Sequence, residues 1–139
     1  MRREAVKTVL ALCVIVPAGL VLKFLYHGPG DVWAHRYGAA ILYEVFWVLV
    51  LRLLARDVSP LAAAAWVFGL TCLLEVLQLW HPAPLRAVRS TFLGAVLLGT
   101  TFDPLDFPYY ALGCGIGYLG TSALSRTTND PSSSLAVSE

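Results

Sequence analysis

Long, predominantly apolar stretches separated by short runs of turn residues constrain this chain more than any other feature of its sequence. No water in a bilayer core can satisfy exposed backbone groups, so such a stretch has one economical conformation there: a helix of about 20 residues that crosses the ~30 Å of hydrocarbon. The first runs over residues 8–26, behind Arg2, Arg3 and Lys7. Secretory signal peptides begin the same way, but Lys23-Phe24-Leu25-Tyr26 offers no small-residue cleavage site. The stretch therefore reads as a spanning helix, with Lys23 reaching to the interface. His27-Gly28-Pro29-Gly30-Asp31 comes next as a turn, and Asp31 is placed to cap a second helix over residues 32–54, closed by Arg52, Arg56 and Asp57. Ser59-Pro60 is a cap followed by a first-turn proline; it opens a third helix over residues 60–80, which Pro82 and Pro84 end.

The next apolar stretch, within Arg89 to Phe102, is too short to cross, since a dozen residues of helix cover only about 18 Å. It reads as a re-entrant or interfacial half-helix over residues 90–100, with its first amides beside Arg86 and Arg89. Asp103-Pro104-Leu105-Asp106 then resembles a helix start, with Asp103 as its cap, and a fourth spanning helix is expected over residues 104–124. Residues 125–139, rich in Ser, Thr, Asn and Pro, read as a disordered polar tail. The expected fold is thus all-α: one membrane domain over residues 1–124, a bundle of four transmembrane helices plus one short half-helix.

Composition agrees. Charged residues make up 14% of the chain, against roughly 25% in a soluble domain, and hydrophobic residues 58%. The net charge of +1, with no basic block longer than Arg2-Arg3, argues against nucleic acid as a partner. Cys13, Cys72 and Cys114 lie singly in apolar stretches and read as buried thiols. His27, His35 and His81 lack metal-ligand spacing, so neither a metal nor a cofactor is expected. For orientation, Arg2, Arg3, Lys7, Arg52, Arg56 and Arg126 fall on one side, and Lys23, Arg36, Arg86 and Arg89 on the other. The richer side is expected to be cytoplasmic, which puts both termini inside.

Acids inside spans are the candidates for function, because a charge near the bilayer centre costs at least about 2.5–3.5 kcal/mol and needs a partner. Glu44 lies within the second helix and Glu75 near the end of the third, with Gln78 one turn later on the same face and His81 just beyond. With Arg86, Arg89, Asp103 and Asp106 these could line one outward-facing polar pocket, Glu75 pairing with Arg86 or Arg89. The alternative is a salt-bridge network that only holds helices together, and a pairing with Arg36 or Lys23 would account for Glu44. Gly115-Ile116-Gly117-Tyr118-Leu119-Gly120 matches a dinucleotide-binding pattern, but no strand precedes it. Gly113-x-x-x-Gly117 reads instead as a small-residue face for close approach of a partner helix.

Leu79-Trp80-His81-Pro82-Ala83-Pro84-Leu85-Arg86-Ala87-Val88-Arg89, the adjoining Ser90 to Gly94, Gly99 to Asp106, and Gly30-Asp31-Val32-Trp33-Ala34 together resemble the bacterial membrane family called domain of unknown function 2809. Some of its members carry the name ribosomal maturation YjgA family, a role that does not suit so apolar a chain. The resemblance covers roughly residues 30–117 and implies a multi-pass protein of the bacterial inner membrane, with no established activity. More distantly, Glu75-x-x-Gln78 and Phe102-Asp103-x-x-Asp106 are similar to VanZ-like proteins, a group associated with glycopeptide resistance. Thr100-Thr101 and Tyr109-Tyr110 depart from that group's Arg and Asn. Three functional readings are open. The first is a non-enzymatic protein whose outer-leaflet pocket binds an anionic lipid or lipid-linked envelope precursor. The second is an enzyme acting on such a lipid, with Glu75 or Asp106 as general acid or base. The third is a structural subunit that binds a partner through Gly113 and Gly117.

Overall fold

The computed structural model describes residues 2–99 and 101–128, and every regular element among them is helical. Helix α1 (Arg2–Leu20) runs on into a π-helical turn, Val21–Leu25. Helix α2 (Asp31–Trp33) continues through a second π turn, Ala34–Gly38, into α3 (Ala39–Leu54). Then come α4 (Pro60–Leu77), two short helices α5 (Ala83–Arg89) and α6 (Phe92–Leu98), and the long α7 (Asp106–Thr128). Among the described residues, three stretches are long and apolar enough to cross a membrane: Arg3–Leu25, Asp31–Leu54 and Pro60–Leu77.

The helices α3 and α7 form the central pair, with α1 and α4 packed along their flanks. Gly113 and Gly117 make the pair possible. A Cβ at Gly113 would lie 2.6 Å from both the Ile41 carbonyl oxygen and Glu44 Cβ, and one at Gly117 would lie 2.8 Å from Val48 Cβ. The small-residue face expected to receive a separate partner is therefore filled by α3 of the same chain. Val48, Ala64, Val67 and Cys114 close the core beside it.

Helix α4 shows which solvent the bundle is built for. Its buried stripe is Ala63, Ala64, Val67, Thr71 and Glu75, small or polar, whereas Leu61, Trp66, Leu70 and Leu73 point outward. Small and polar residues within, with large apolar ones outside, is the arrangement of helices packed in lipid; a water-soluble domain reverses it.

Several local boundaries differ from the sequence reading. Gly30, in the left-handed region at φ 74°, is the cap of α2, and Asp31 is the first helical residue. Ser59 caps α4 as expected, its hydroxyl accepting the Ala62 N–H at 3.2 Å. That helix ends at Leu77, because Leu79 and Trp80 tighten into i→i+3 bonds with Val76 and Leu77. The expected half-helix over residues 90–100 is the shorter α6, and a separate helix not expected from the sequence, α5, precedes it. The Ser90 and Thr91 hydroxyls donate to the Ala87 and Val88 carbonyls, ending α5. Thr91 then accepts the Gly94 N–H at 3.0 Å and starts α6. At the far end α7 extends to Thr128, so residues 125–128 of the expected tail are helical and 129–139 lie outside the described residues.

Segment α5–α6 leaves and rejoins the bundle at one end. Arg89 is tied to the Leu77 and Trp80 carbonyls at the end of α4, and the Asp103 N–H binds Glu75 in its last turn. Helices α1, α3, α4 and α7 thus alternate in direction. Glu4, Arg52–Asp57 and Ser125 gather around a depression of ≈ 430 Å³ at the opposite end.

Candidate functional site

A polar network joins three helices where α4 ends and α7 begins. Glu75, 1% exposed, accepts hydrogen bonds from the Asp103 N–H at 2.7 Å, Gln78 Nε2 at 2.8 Å and the Tyr110 hydroxyl at 2.9 Å. Asp103 faces the other way. Its Oδ2 pairs with Arg36 at 2.8 Å and accepts the Tyr37 hydroxyl at 3.1 Å, while Oδ1 accepts the Leu105 N–H ahead of α7. Tyr37 stacks on Tyr109, ring centroids 4.3 Å apart, and Tyr109 accepts from the Trp33 indole. Glu75 is therefore compensated by three neutral donors and Asp103 by a guanidinium.

Beside this network opens a cleft of ≈ 1060 Å³, running over one face of α3 between α1 and α4, with α6 along its border. Its walls are mostly apolar, with Ile15, Leu42, Phe46 and Val96 among them. Its polar lining comes from Lys23, Arg36, Glu75, Gln78, Asp106 and Tyr110, with Tyr43 and Thr71 along the walls. Lys23 and Arg36 sit on the two π turns, which pack against each other. A π turn inserts an extra residue and shifts the angular register of the helix beyond it, and such turns recur at functional sites. Phe24 and Phe92 meet at 6.2 Å between ring centroids, joining the first π turn to α6. Lys23 has neither a hydrogen bond nor an ion pair among the described residues. Gln78 Oε1 and Asp106 Oδ1 are buried without a partner.

The sequence-predicted residues divide accordingly. Glu75, Gln78 and Asp106 line the cleft, and Asp103 backs it. Arg89 does not pair with Glu75. It is 7% exposed, and its guanidinium donates at 3.1 Å each to the Trp80 carbonyl and to the Leu77 carbonyl, which also accepts the Trp80 N–H, so it ties together the turn that follows α4. Arg86 is exposed on α5, outside the cleft, and exposed His81 bonds only to the Leu79 carbonyl. Convergence of two arginines on the start of the half-helix is therefore corrected: one caps α4 and the other points away. Glu44 is a separate centre. Fully buried, it accepts from Cys114 Sγ at 3.1 Å and Thr71 at 3.3 Å, neutral groups in place of the expected Arg36 or Lys23. Neither Lys23 nor Tyr110 was legible in the sequence as a pocket residue, and Arg36 was expected only as a pairing for Glu44. A lysine four residues from the end of an apolar helix resembles any interfacial lysine, and nothing in local sequence marks the π turns.

Helices with lipid-suited exteriors, a buried polar network and a cleft between α1 and α4 define, among the described residues, a membrane-type helical bundle with an amphipathic cleft. A family model described as protein of unknown function (DUF2809) matches residues 30–114, more than half of the chain, and the chain belongs to that family. The network from Arg36 to Tyr110 falls within the matched segment, and Lys23 lies before it. Comparison with curated proteins and with solved structures gave no match. Neither the ribosome-maturation name nor the VanZ likeness gains support from these comparisons.

Proposed function

We propose that this protein resides in the bacterial inner membrane as a four-span bundle with both termini cytoplasmic, and that its cleft binds a phosphate-bearing amphiphile in the outer leaflet. Helix α7 is the fourth span. Its 23 residues cover about 34 Å, and contact with α3 and α4 in place of lipid accounts for Gly113, Gly117 and Tyr110. One observation carries the reading: a large apolar cleft holds an unpaired Lys23, with Arg36 also on its lining. A volume of ≈ 1060 Å³ is at the top of the range of about 300–1,000 Å³ for small-molecule sites, and the apolar walls suit acyl or isoprenoid chain. Lys23 and Arg36 are the cations of this cleft, in place of Arg86 and Arg89, which the sequence reading put in the pocket. Phosphate in this setting comes from a membrane phospholipid or from a lipid-linked envelope precursor. Phosphorus assay and mass spectrometry of the delipidated, detergent-extracted protein separate the two by chain chemistry. About one phosphate per protein is expected, lost in Lys23→Ala; equal phosphate in wild type and variant contradicts the reading.

A further inference from the structure

Unsatisfied groups along the cleft are of two opposite kinds. Lys23, exposed at the cleft, offers N–H donors with no acceptor among the described residues, which suits a phosphate. The two buried orphans, Gln78 Oε1 and Asp106 Oδ1, are both acceptors. Gln78 is 5% exposed, and its orientation is set: Nε2 donates to Glu75 Oε2 at 2.8 Å, and turning the amide over would press its carbonyl oxygen on the carboxylate. Glu75 has three donors on its oxygens already and so has less accepting capacity to offer a ligand than the two orphans. Charge leads to the same place. At and beside the polar lining, Glu75, Asp103 and Asp106 outnumber Lys23 and Arg36, so a purely anionic head group adds negative charge to a site already short of cations.

We propose that the head group held in this cleft carries a primary ammonium beside its phosphate, with the ammonium donating to Gln78 Oε1 and Asp106 Oδ1 while Lys23 and Arg36 face the phosphate. The proposal rests on the phosphate-amphiphile reading above. A zwitterion leaves the local charge unchanged, and an ammonium brings three N–H donors to a carboxylate and a carboxamide that lack them. A hydroxyl brings one donor and no charge. A trimethylammonium brings the charge and no N–H.

Native mass spectrometry of the full chain in micelles, with acyl-matched phosphatidylethanolamine, phosphatidylcholine and phosphatidic acid as competitors, reads this directly. Phosphatidylethanolamine should be retained over phosphatidylcholine by about tenfold, the order expected for a charge-assisted hydrogen bond lost from a buried acceptor. In Asp106→Asn that preference should narrow while retention of phospholipid as a class persists. Gln78→Leu should act alike, and because Gln78 also supports Glu75, Asp106→Asn decides if Gln78→Leu fails to fold. Equal retention of phosphatidylethanolamine and phosphatidylcholine, or a preference for phosphatidic acid, overturns the ammonium subsite and leaves the phosphate reading standing. Retention of none of the three overturns both.

Discussion

Glu75 and Glu44 are both buried carboxylates among apolar helices, yet their surroundings differ in a way that predicts opposite responses to the same change. Glu75 accepts from Asp103, Gln78 and Tyr110, and so joins α4 to the start of α7. In Glu75→Gln an amide NH₂ replaces one accepting oxygen and meets at least one donor head-on. The cost should be about 1–3 kcal/mol, seen as a lower melting temperature in detergent. Glu44 has only a thiol and a shared hydroxyl as partners, and its Oε1 has none. Replacing an uncompensated carboxyl by its neutral isostere should leave stability of Glu44→Gln unchanged or higher by on the order of 1 kcal/mol in the same assay. A drop matching that of Glu75→Gln would mean that Glu44 has a charged partner in the membrane. Both glutamates, with Gln78 and Asp106, stood out in the sequence because polar residues in apolar helices are costly. The direction of Arg89 did not, because it answers to the two carbonyls that the turn after α4 brings together, a feature of the folded turn and not of residue spacing.

The glycines of α7 divide by what faces them. At Gly113 and Gly117 a methyl group would meet α3 at 2.6–2.8 Å, so the helices must separate to admit it. Gly113→Ala should cost about 1–3 kcal/mol, the range for overpacking. At Gly115 an added Cβ meets nothing within 4 Å, and Gly115→Ala should gain up to about 1 kcal/mol from helix propensity. Paired thermal melts check the contrast. Equal effects at both positions would place the close contact elsewhere. The α5–α6 segment carries its own prediction. Single cysteines at exposed Ala87 and exposed Leu105 should react with an impermeant maleimide from the same side of the membrane. Reaction from opposite sides would make the segment a crossing. That the apolar stretch is short was legible from length alone; the separate helix α5 ahead of it was not, because Ser90-Thr91 stops one helix and caps the next, and hydroxyls serve either purpose.

At the scale of the molecule, order and direction of the long helices followed from apolar length and from turn residues such as Gly30 and Ser59-Pro60. Lateral arrangement did not, because α3–α7 pairing depends on shape at Gly113 and Gly117, where pattern gives a small face but no partner. The cleft was hidden for the same reason. It exists because α1 and α4 flank the central pair without closing over α3, and because the π turns bring Lys23 and Arg36 to its lining. The cleft is proposed to hold one amphiphile. Ala40 lies on the cleft wall, and Ala40→Trp should fill part of the space while leaving Lys23, Arg36 and the Glu75 network in place. Native mass spectrometry of the gently extracted protein should show one retained lipid-mass adduct on the wild type and its loss from a folded Ala40→Trp variant. Adducts of equal number and mass on both proteins would place bound lipid on the outer surface and contradict the account.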